Sequence, residues 1–371
     1  MPKFNIHGAE GYTHHYSPRE VIEHGVFGSN MGNMLFYGSV YNTFAQKGEN
    51  AIVTDRSIEQ INAADYYLIP QANLFYKYFI RNLDNHVERL KEIKIPSVVV
   101  GIGYQSSVGV SSYGDESPLL NESVRAFVTS VLEHSTSIGV RGQVTKDYLL
   151  NLGFSDNEVD VIGCPSVRYF GRDFDLTIPE YPTFKPGMKI AVNYTPTRYD
   201  KAWGPRISEI LNNYPNTFAI LQDAYEVNNL RWKFPGIALP PIPQRVRKLN
   251  DIPVKSSHTV FKENRSRIFT SPDIWMHSMK TFDFSIGTRI HGNIAAILAG
   301  TPALVIAIDS RTLELAEYFK IPYVKMTELV NYPTLEALYD KAIEDMPAFY
   351  INYPKTLEDY LHFFRKNDIP V

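Results

Sequence analysis

Short, almost wholly apolar runs alternate along this chain with longer stretches in which apolar positions recur every three or four residues. The runs suit strands buried on both faces of a parallel sheet, and the longer stretches suit amphipathic helices. In the first half the runs are Ala51–Val53, Tyr66–Ile69, Ser97–Val100, Ser137–Arg141 and Val159–Gly163. Between them lie a helical pattern through Leu35, Phe36, Val40 and Phe44, and others over Phe79–Ile93, Ser123–His134 and Val144–Leu150. The first 27 residues show no such alternation and read as irregular apart from a short helix, Ser17–Glu23.

A second series begins at Lys189–Tyr194. It continues through a helix at Pro205–Asn212, a strand at Phe218–Leu221 and a helix from Pro272 that carries Trp275, Met276 and Met279. A strand ending at Ile286 is followed by a helix with Ile290, Ile294, Ile297 and Leu298 on one face, then by the strand Ala303–Ile308 and the helix Leu313–Phe319. Two helices, Thr334–Glu344 and Thr356–Arg365, close the chain. Strands alternating with helices imply a doubly wound α/β fold. The proline-rich stretch Asp175–Gly187, with Pro179, Pro182 and Pro186, has the composition of a linker. The expectation is therefore two Rossmann-like domains facing a cleft, residues 1–178 and 188–345, with 346–371 a C-terminal helix returning to the first domain. Glu226–Arg265, which holds Trp232, three prolines between Pro240 and Pro243, and the basic Arg245, Arg247 and Lys248, has no readable period. It reads either as an insertion facing a second substrate or as a solvated charged surface.

Composition narrows the partners. A length of 371 residues favours two cores over one, and a formal net charge of −3 with interspersed signs argues against a nucleic acid partner. The single cysteine, Cys164, excludes an intramolecular disulfide; it falls in an apolar run and is expected to be buried and inert, as in a reducing, cytoplasmic setting. No stretch reaches eighteen apolar residues, so no transmembrane segment is expected; peripheral membrane contact stays open. Aromatic residues are abundant at 13%, and tyrosines both pack cores and line sugar-binding clefts.

The chemistry concentrates in Gly287-Thr288-Arg289-Ile290-His291-Gly292, a strand-to-helix turn. Ligands of such units gather beyond the carboxyl ends of strands, where helix N-termini present free N–H groups. Arginine grips a carboxylate or phosphate with a planar fork, and histidine exchanges protons near neutrality. The pair suits an anionic substrate undergoing proton transfer; the plainer alternative is a sheet-edge arginine beside a satisfied histidine. Arg141 repeats the arrangement after another apolar strand, with a loop salt bridge as its alternative role. Arg311, two residues beyond Asp309, is a third candidate anion contact, or simply that aspartate's partner. Gly28-Ser29-Asn30-Met31-Gly32-Asn33 precedes a helix, where small residues admit a ligand to the backbone and Asn30 and Asn33 add donors. It lacks the P-loop lysine and the dinucleotide-binding spacing. Gly101 and Gly103 open a Ser/Gly-rich loop through Glu116 that is a candidate cover for a cleft. His14 and His15 lack a third ligand at a metal-binding spacing.

Ser285–Gly292, with Ala295, Gly300, Pro302 and Asp309 behind it, resembles the signature of the polysaccharide pyruvyl transferase family. Gly28–Asn33 is similar to that family's N-terminal turn and Val140-Arg141-Gly142 to its middle motif, so the resemblance runs from about Gly28 to Val324. It implies a fold similar to the GT-B glycosyltransferases and transfer of a pyruvyl group from phosphoenolpyruvate to a glycan, lipid-linked or nucleotide-linked sugar as a ketal. By position Arg289 and His291 match the family's donor-site arginine and histidine, and Arg141 its mid-chain arginine; Gly142 stands where many members have an acid. On this resemblance His291 is the expected acid, Arg289 and Arg141 the anion clamps, and Arg311, Gly287, Asn30 and Asn33 further substrate contacts. Asp223 and Asp309 are positional candidates for the base, and neither a metal nor another cofactor is expected. Two other readings use the same cleft: a nucleotide-sugar glycosyltransferase, and a catalytically silent glycan-binding protein.

Overall fold

The computed structural model describes residues 1–45, 48–54, 56–105, 117–172, 176–196, 203–230, 236, 239, 241–247, 253 and 255–371. Among them, twelve strands form two six-stranded, all-parallel sheets. The first contains β1 (Lys3–Ile6), β2 (Ala51–Val53), β3 (Tyr66–Pro70), β4 (Ser97–Ile102), β5 (Ile138–Val140) and β6 (Val159–Val161), in the order β2-β1-β3-β4-β5-β6. The second contains β7 (Ile190–Asn193), β8 (Thr217–Leu221), β9 (Ser266–Ile268), β10 (Phe284–Gly287), β11 (Ala303–Ala307) and β12 (Tyr323–Lys325), in the order β12-β11-β10-β7-β8-β9. With helices packed around both, the architecture is two Rossmann-like domains facing a cleft, the GT-B-type arrangement.

The central strands are buried along their length because helices cover both faces. All six residues of β4 and all five of β11 are buried. In the second sheet the strand order reverses between β7 and β10, the switch point at which crevices open in doubly wound sheets. The turn after β10 needs glycine there. Gly287 has φ of +151°, and a Cβ on it would lie 2.0 Å from the carbonyl oxygen of Asn193 at the end of β7.

Two expectations fail. The N-terminal segment is not irregular: Lys3–Ile6 lies between β2 and β3, with Phe4 and Ile6 in the core. Four residues are too few to display a period, and only the two neighbouring strands give them one. The last two helices are a single 32-residue helix, Leu335–Lys366, with Pro347 and Pro354 inside it. Each proline removes one backbone donor. Burial of Met346, Phe349, Tyr350 and Tyr353 alongside them nonetheless holds the helix together. The break expected near residue 345 is therefore absent. The helix begins against the second sheet through Leu335, Leu338 and Tyr339, and ends against the first through Tyr360, Phe363 and Phe364.

The domains also meet at the cleft itself. The turn containing Ser29 and Met31 pairs with the end of β8: Met31 N donates to Gln222 O at 2.7 Å, and Ala224 N to Ser29 O at 2.9 Å.

Candidate active site

A cavity of about 640 Å³ lies between the carboxyl ends of the two sheets. The segments after β3, β4 and β5 contribute Asn73, Gln105 and Arg141; those after β8, β10 and β11 contribute Asp223, Arg289 and Arg311. His291, Asn30 and Asn33 also line it. Six of the seven residues expected from the sequence thus share one cavity. The seventh, Gly287, shapes the turn behind it.

Arg289 is the N-cap residue of the helix Ile290–Leu298. Its backbone N donates to Asn193 O at 3.1 Å, and a buried network fixes the turn. Asn193 Nδ2 donates to Ser285 Oγ at 2.9 Å, Ser285 Oγ to Asn293 Oδ1 at 2.9 Å, and Asn293 Nδ2 to Gly287 O at 3.0 Å. Gly292 belongs to the same packing, since a Cβ there would strike Asn193 Oδ1 at 1.9 Å. The Arg289 guanidinium is engaged: Nε donates to Tyr194 O at 3.3 Å and Nη2 pairs with Asp223. Burial alone would lower its pKa, but the carboxylates of Asp223 and Glu226 outweigh burial and raise it. Asp223, a candidate base, is therefore committed to an ion pair.

Arg141 differs. It is 3% exposed, and the partner of its Nη1 is the amide oxygen of Asn73 at 2.7 Å, not a carboxylate. Nε and Nη2 have no hydrogen-bond partner among the described residues. Such a buried, half-satisfied guanidinium at a cavity wall is a site for an anion. Burial lowers its pKa. Behind it stands Glu314, from the helix Ser310–Phe319 of the other domain, which accepts from Thr145 N at 3.1 Å and Thr145 Oγ1 at 3.0 Å. Burial pushes this carboxyl up to about 7, against the pull of the Thr145 bonds and Arg141. Glu314 also explains Gly142, where a Cβ would sit 2.8 Å from its side chain.

His291, 8% exposed, lies in the first turn of the Ile290–Leu298 helix. Its Nε2 is 3.7 Å from Cys164 Sγ, and its Nδ1 lies over Gly32, where a Cβ would come within 2.6 Å. Burial, and then the charges of Arg141, Arg289 and Arg311, depress its pKa to about 3. The imidazole is therefore neutral at physiological pH.

Arg311 pairs with Asp309 through Nη2 at 2.5 Å, and Asp309 also caps its helix by accepting from Thr312 N at 3.1 Å. The second candidate base is thus tied down as well. Asn30 Oδ1 accepts from Gly32 N at 2.9 Å and Asn33 Nδ2 donates to Phe27 O at 3.0 Å, so each has a turn-shaping bond besides facing the cavity. Cys164 is buried but lies beyond the end of β6, not within a strand, and it touches the histidine.

Sequence reasoning missed Asn73, Glu226 and Glu314. Glu226 accepts from Gln222 N at 3.0 Å and Asp223 N at 2.8 Å, and burial, then repulsion from Asp223, raises it to about 7. Nothing local marks these residues, because their roles arise from what other elements place beside them. Of the proposed cover loop, residues 106–116 lie outside the described residues, as do Trp232, Pro240 and Lys248 of the unreadable region. Among the described residues, no group of three His, Cys, Asp or Glu side chains is arranged to hold a metal, and no helix is long and apolar enough to cross a membrane.

The family model described as polysaccharide pyruvyl transferase matches residues 30–310. No curated protein matches the chain in sequence. Among solved structures, Anabaena Alr3699/HepE in complex with UDP and glucose is 12% identical, with 98% of this chain and 99% of that one covered and a TM-score of 0.47. A putative UDP-N-acetylglucosamine 2-epimerase from Listeria monocytogenes is 9% identical, with 100% and 99% covered and a TM-score of 0.45. MnaA from S. aureus with UDP is 13% identical, with both chains fully covered and a TM-score of 0.43.

Proposed function

The chain belongs to the polysaccharide pyruvyl transferase family, and from that membership we propose that it moves the three-carbon unit of phosphoenolpyruvate onto a sugar as a pyruvate ketal. The observation that carries the donor assignment is Arg141, buried with Nε and Nη2 unpartnered, in a cavity it shares with Arg289, Arg311 and a neutral histidine. A small ligand with a phosphate and a carboxylate satisfies that guanidinium and offsets the surplus positive charge.

The chemistry follows from the charge. Ketal formation requires a proton on the methylene carbon of phosphoenolpyruvate, which turns the adjacent carbon into an oxocarbenium-like centre for a sugar hydroxyl. A second hydroxyl of the same sugar then displaces phosphate, so one donor and one diol give one ketal and one phosphate. His291 is the proposed acid. Burial first and then the three arginines keep it unprotonated, and the arginines are the groups the donor's anions would neutralise. Donor binding would therefore raise the histidine toward its ordinary pKa of about 6.5 and arm it only when substrate is present. Arg141 and Arg289 hold the anions, Arg141 through free nitrogens and Arg289 after loosening its hold on Asp223. Freed in that exchange, Asp223 becomes available to accept a hydroxyl proton.

Acceptor-dependent release of phosphate from phosphoenolpyruvate, followed by phosphorus NMR over a panel of glycan, lipid-linked and nucleotide-linked sugars with a no-acceptor control, tests the assignment. Release with at least one acceptor supports it. Absence of release together with tight binding of a nucleotide sugar would replace it with glycosyl transfer.

A further inference from the structure

The cavity has a second end that the donor chemistry leaves unused. After β3 the chain makes a short helical turn, Lys77–Phe79, before the helix Ile80–Leu90. Tyr76, Tyr78 and Phe79 of this segment line the same cavity as the arginines. Tyr78 is 73% exposed and Phe79 39%, among the few large apolar or aromatic side chains presented to solvent. They are not loose. Tyr76 packs edge-on against Tyr78, ring centroids 5.1 Å apart, and against Phe79 at 6.1 Å, so the half-buried ring holds two exposed ones. The segment is anchored from below: Phe75 is wholly buried, its carbonyl accepts from Gln105 N at 3.2 Å, and Phe79 N donates to Tyr76 O at 2.8 Å.

Lys77 Nζ lies 5.5 Å over the Tyr78 ring; exposing the two rings beside a charged cavity sacrifices apolar burial, and a ligand with a weakly polar face recovers it. The surrounding groups narrow the ligand. The same cavity is lined by neutral amides and hydroxyls, among them Asn73, Gln105, Asn30 and Thr195, which suit hydroxyl groups better than further charge. Asn73 joins the two ends, since the segment that carries the aromatic cluster also supplies the oxygen bound by Arg141 Nη1. A ring lying on Tyr78 and Phe79 therefore shares the cavity with these hydrogen-bonding groups and with the arginines.

We propose that Tyr76, Tyr78 and Phe79 form a stacking platform for a pyranose ring. Its role as the acceptor subsite rests on the pyruvyl transfer reading; binding of the sugar does not.

Saturation-transfer NMR with methyl glycosides of galactose, glucose, mannose and the N-acetylhexosamines reads that binding without turnover. The wild-type protein is expected to transfer saturation to the C–H face of at least one glycoside. Tyr78→Ala and Phe79→Ala should weaken that signal about tenfold, Tyr78→Trp should keep it, and calorimetric binding of phosphoenolpyruvate should be unchanged in all three. Matching thermal melts exclude misfolding. Undiminished binding in the Tyr78→Ala, Phe79→Ala double variant would overturn the platform, and so would absence of a signal from every glycoside with the wild type. Sugar binding lost in the variants by a protein that never consumes phosphoenolpyruvate would support the platform and defeat the transfer reaction, so the two failures are distinguishable.

Discussion

Arg141 and Arg289 occupy similar local positions, one and two residues past a short buried strand and at the mouth of a helix, yet their surroundings differ. Arg289 is neutralised by Asp223 and held by Tyr194 O; among the described residues Arg141 has one amide partner and two nitrogens without one. Strand–turn–helix geometry aims an arginine at the cleft, but it does not decide whether the charge is already spent. An arginine paired with a carboxylate is rigid and must exchange partners to bind substrate. A buried arginine without one is incomplete until substrate arrives. On the proposed function the two arginines divide the work, Arg141 taking the anion through its unpartnered nitrogens and Arg289 only after exchanging Asp223 for it.

The largest expected effect is at His291, which burial and then the arginines hold neutral. His291→Ala should lower kcat by about a thousandfold or more, with the thermal melt nearly unchanged, as a general acid requires. Steady-state phosphate release checks it, and a wild-type rate would remove His291 from proton transfer. Arg141→Ala should cost about a hundredfold in kcat/KM for phosphoenolpyruvate, the loss expected for one or two charge-assisted hydrogen bonds. Arg141→Lys should recover little, because an ammonium lacks the planar fork. If both variants bind the donor normally, the contrast between the arginines means nothing for function.

Asp223→Asn sharpens the contrast from the other side. Releasing Arg289 should tighten donor binding several-fold by calorimetry while kcat falls, separating the carboxylate's hold on the arginine from its use as a base. A smaller, pH-dependent signature concerns His291. Its pKa is about 3 in the free protein, and donor binding is expected to raise it, so binding should take up a proton. Calorimetry in two buffers of different ionisation enthalpy should show this uptake in the wild type and its loss in His291→Gln.

The effect furthest from catalysis is on stability, behind Arg141. Glu314 sits at about 7 when folded against an ordinary value of 4.5, so the folded state binds the proton more tightly than the unfolded state. Its contribution is fully present below about 4.5 and is lost as pH rises through 7. Glu314→Gln should remove that loss, worth on the order of 3 kcal/mol. Its melting temperature relative to the wild type should climb between pH 5 and pH 8. A constant difference across that range would show that the Glu314 carboxyl does not titrate there.

Periodicity alone placed most strands and helices, since a strand covered on both faces has to be apolar along its length and an amphipathic helix has to repeat. It failed at Lys3–Ile6, where four residues carry no period, and at Leu335–Lys366, where two prolines signal a break that burial on two domains overrides. The Arg289–His291 turn was legible because a strand, a glycine and a helix start occur in consecutive residues, and that local signal also carried the family resemblance. Which arginine is free, why the histidine is neutral, and that Asn73, Glu226 and Glu314 matter were settled only when the sheets came together. Charge and hydrogen-bond satisfaction depend on distances between atoms far apart in the chain, and the fold alone sets them.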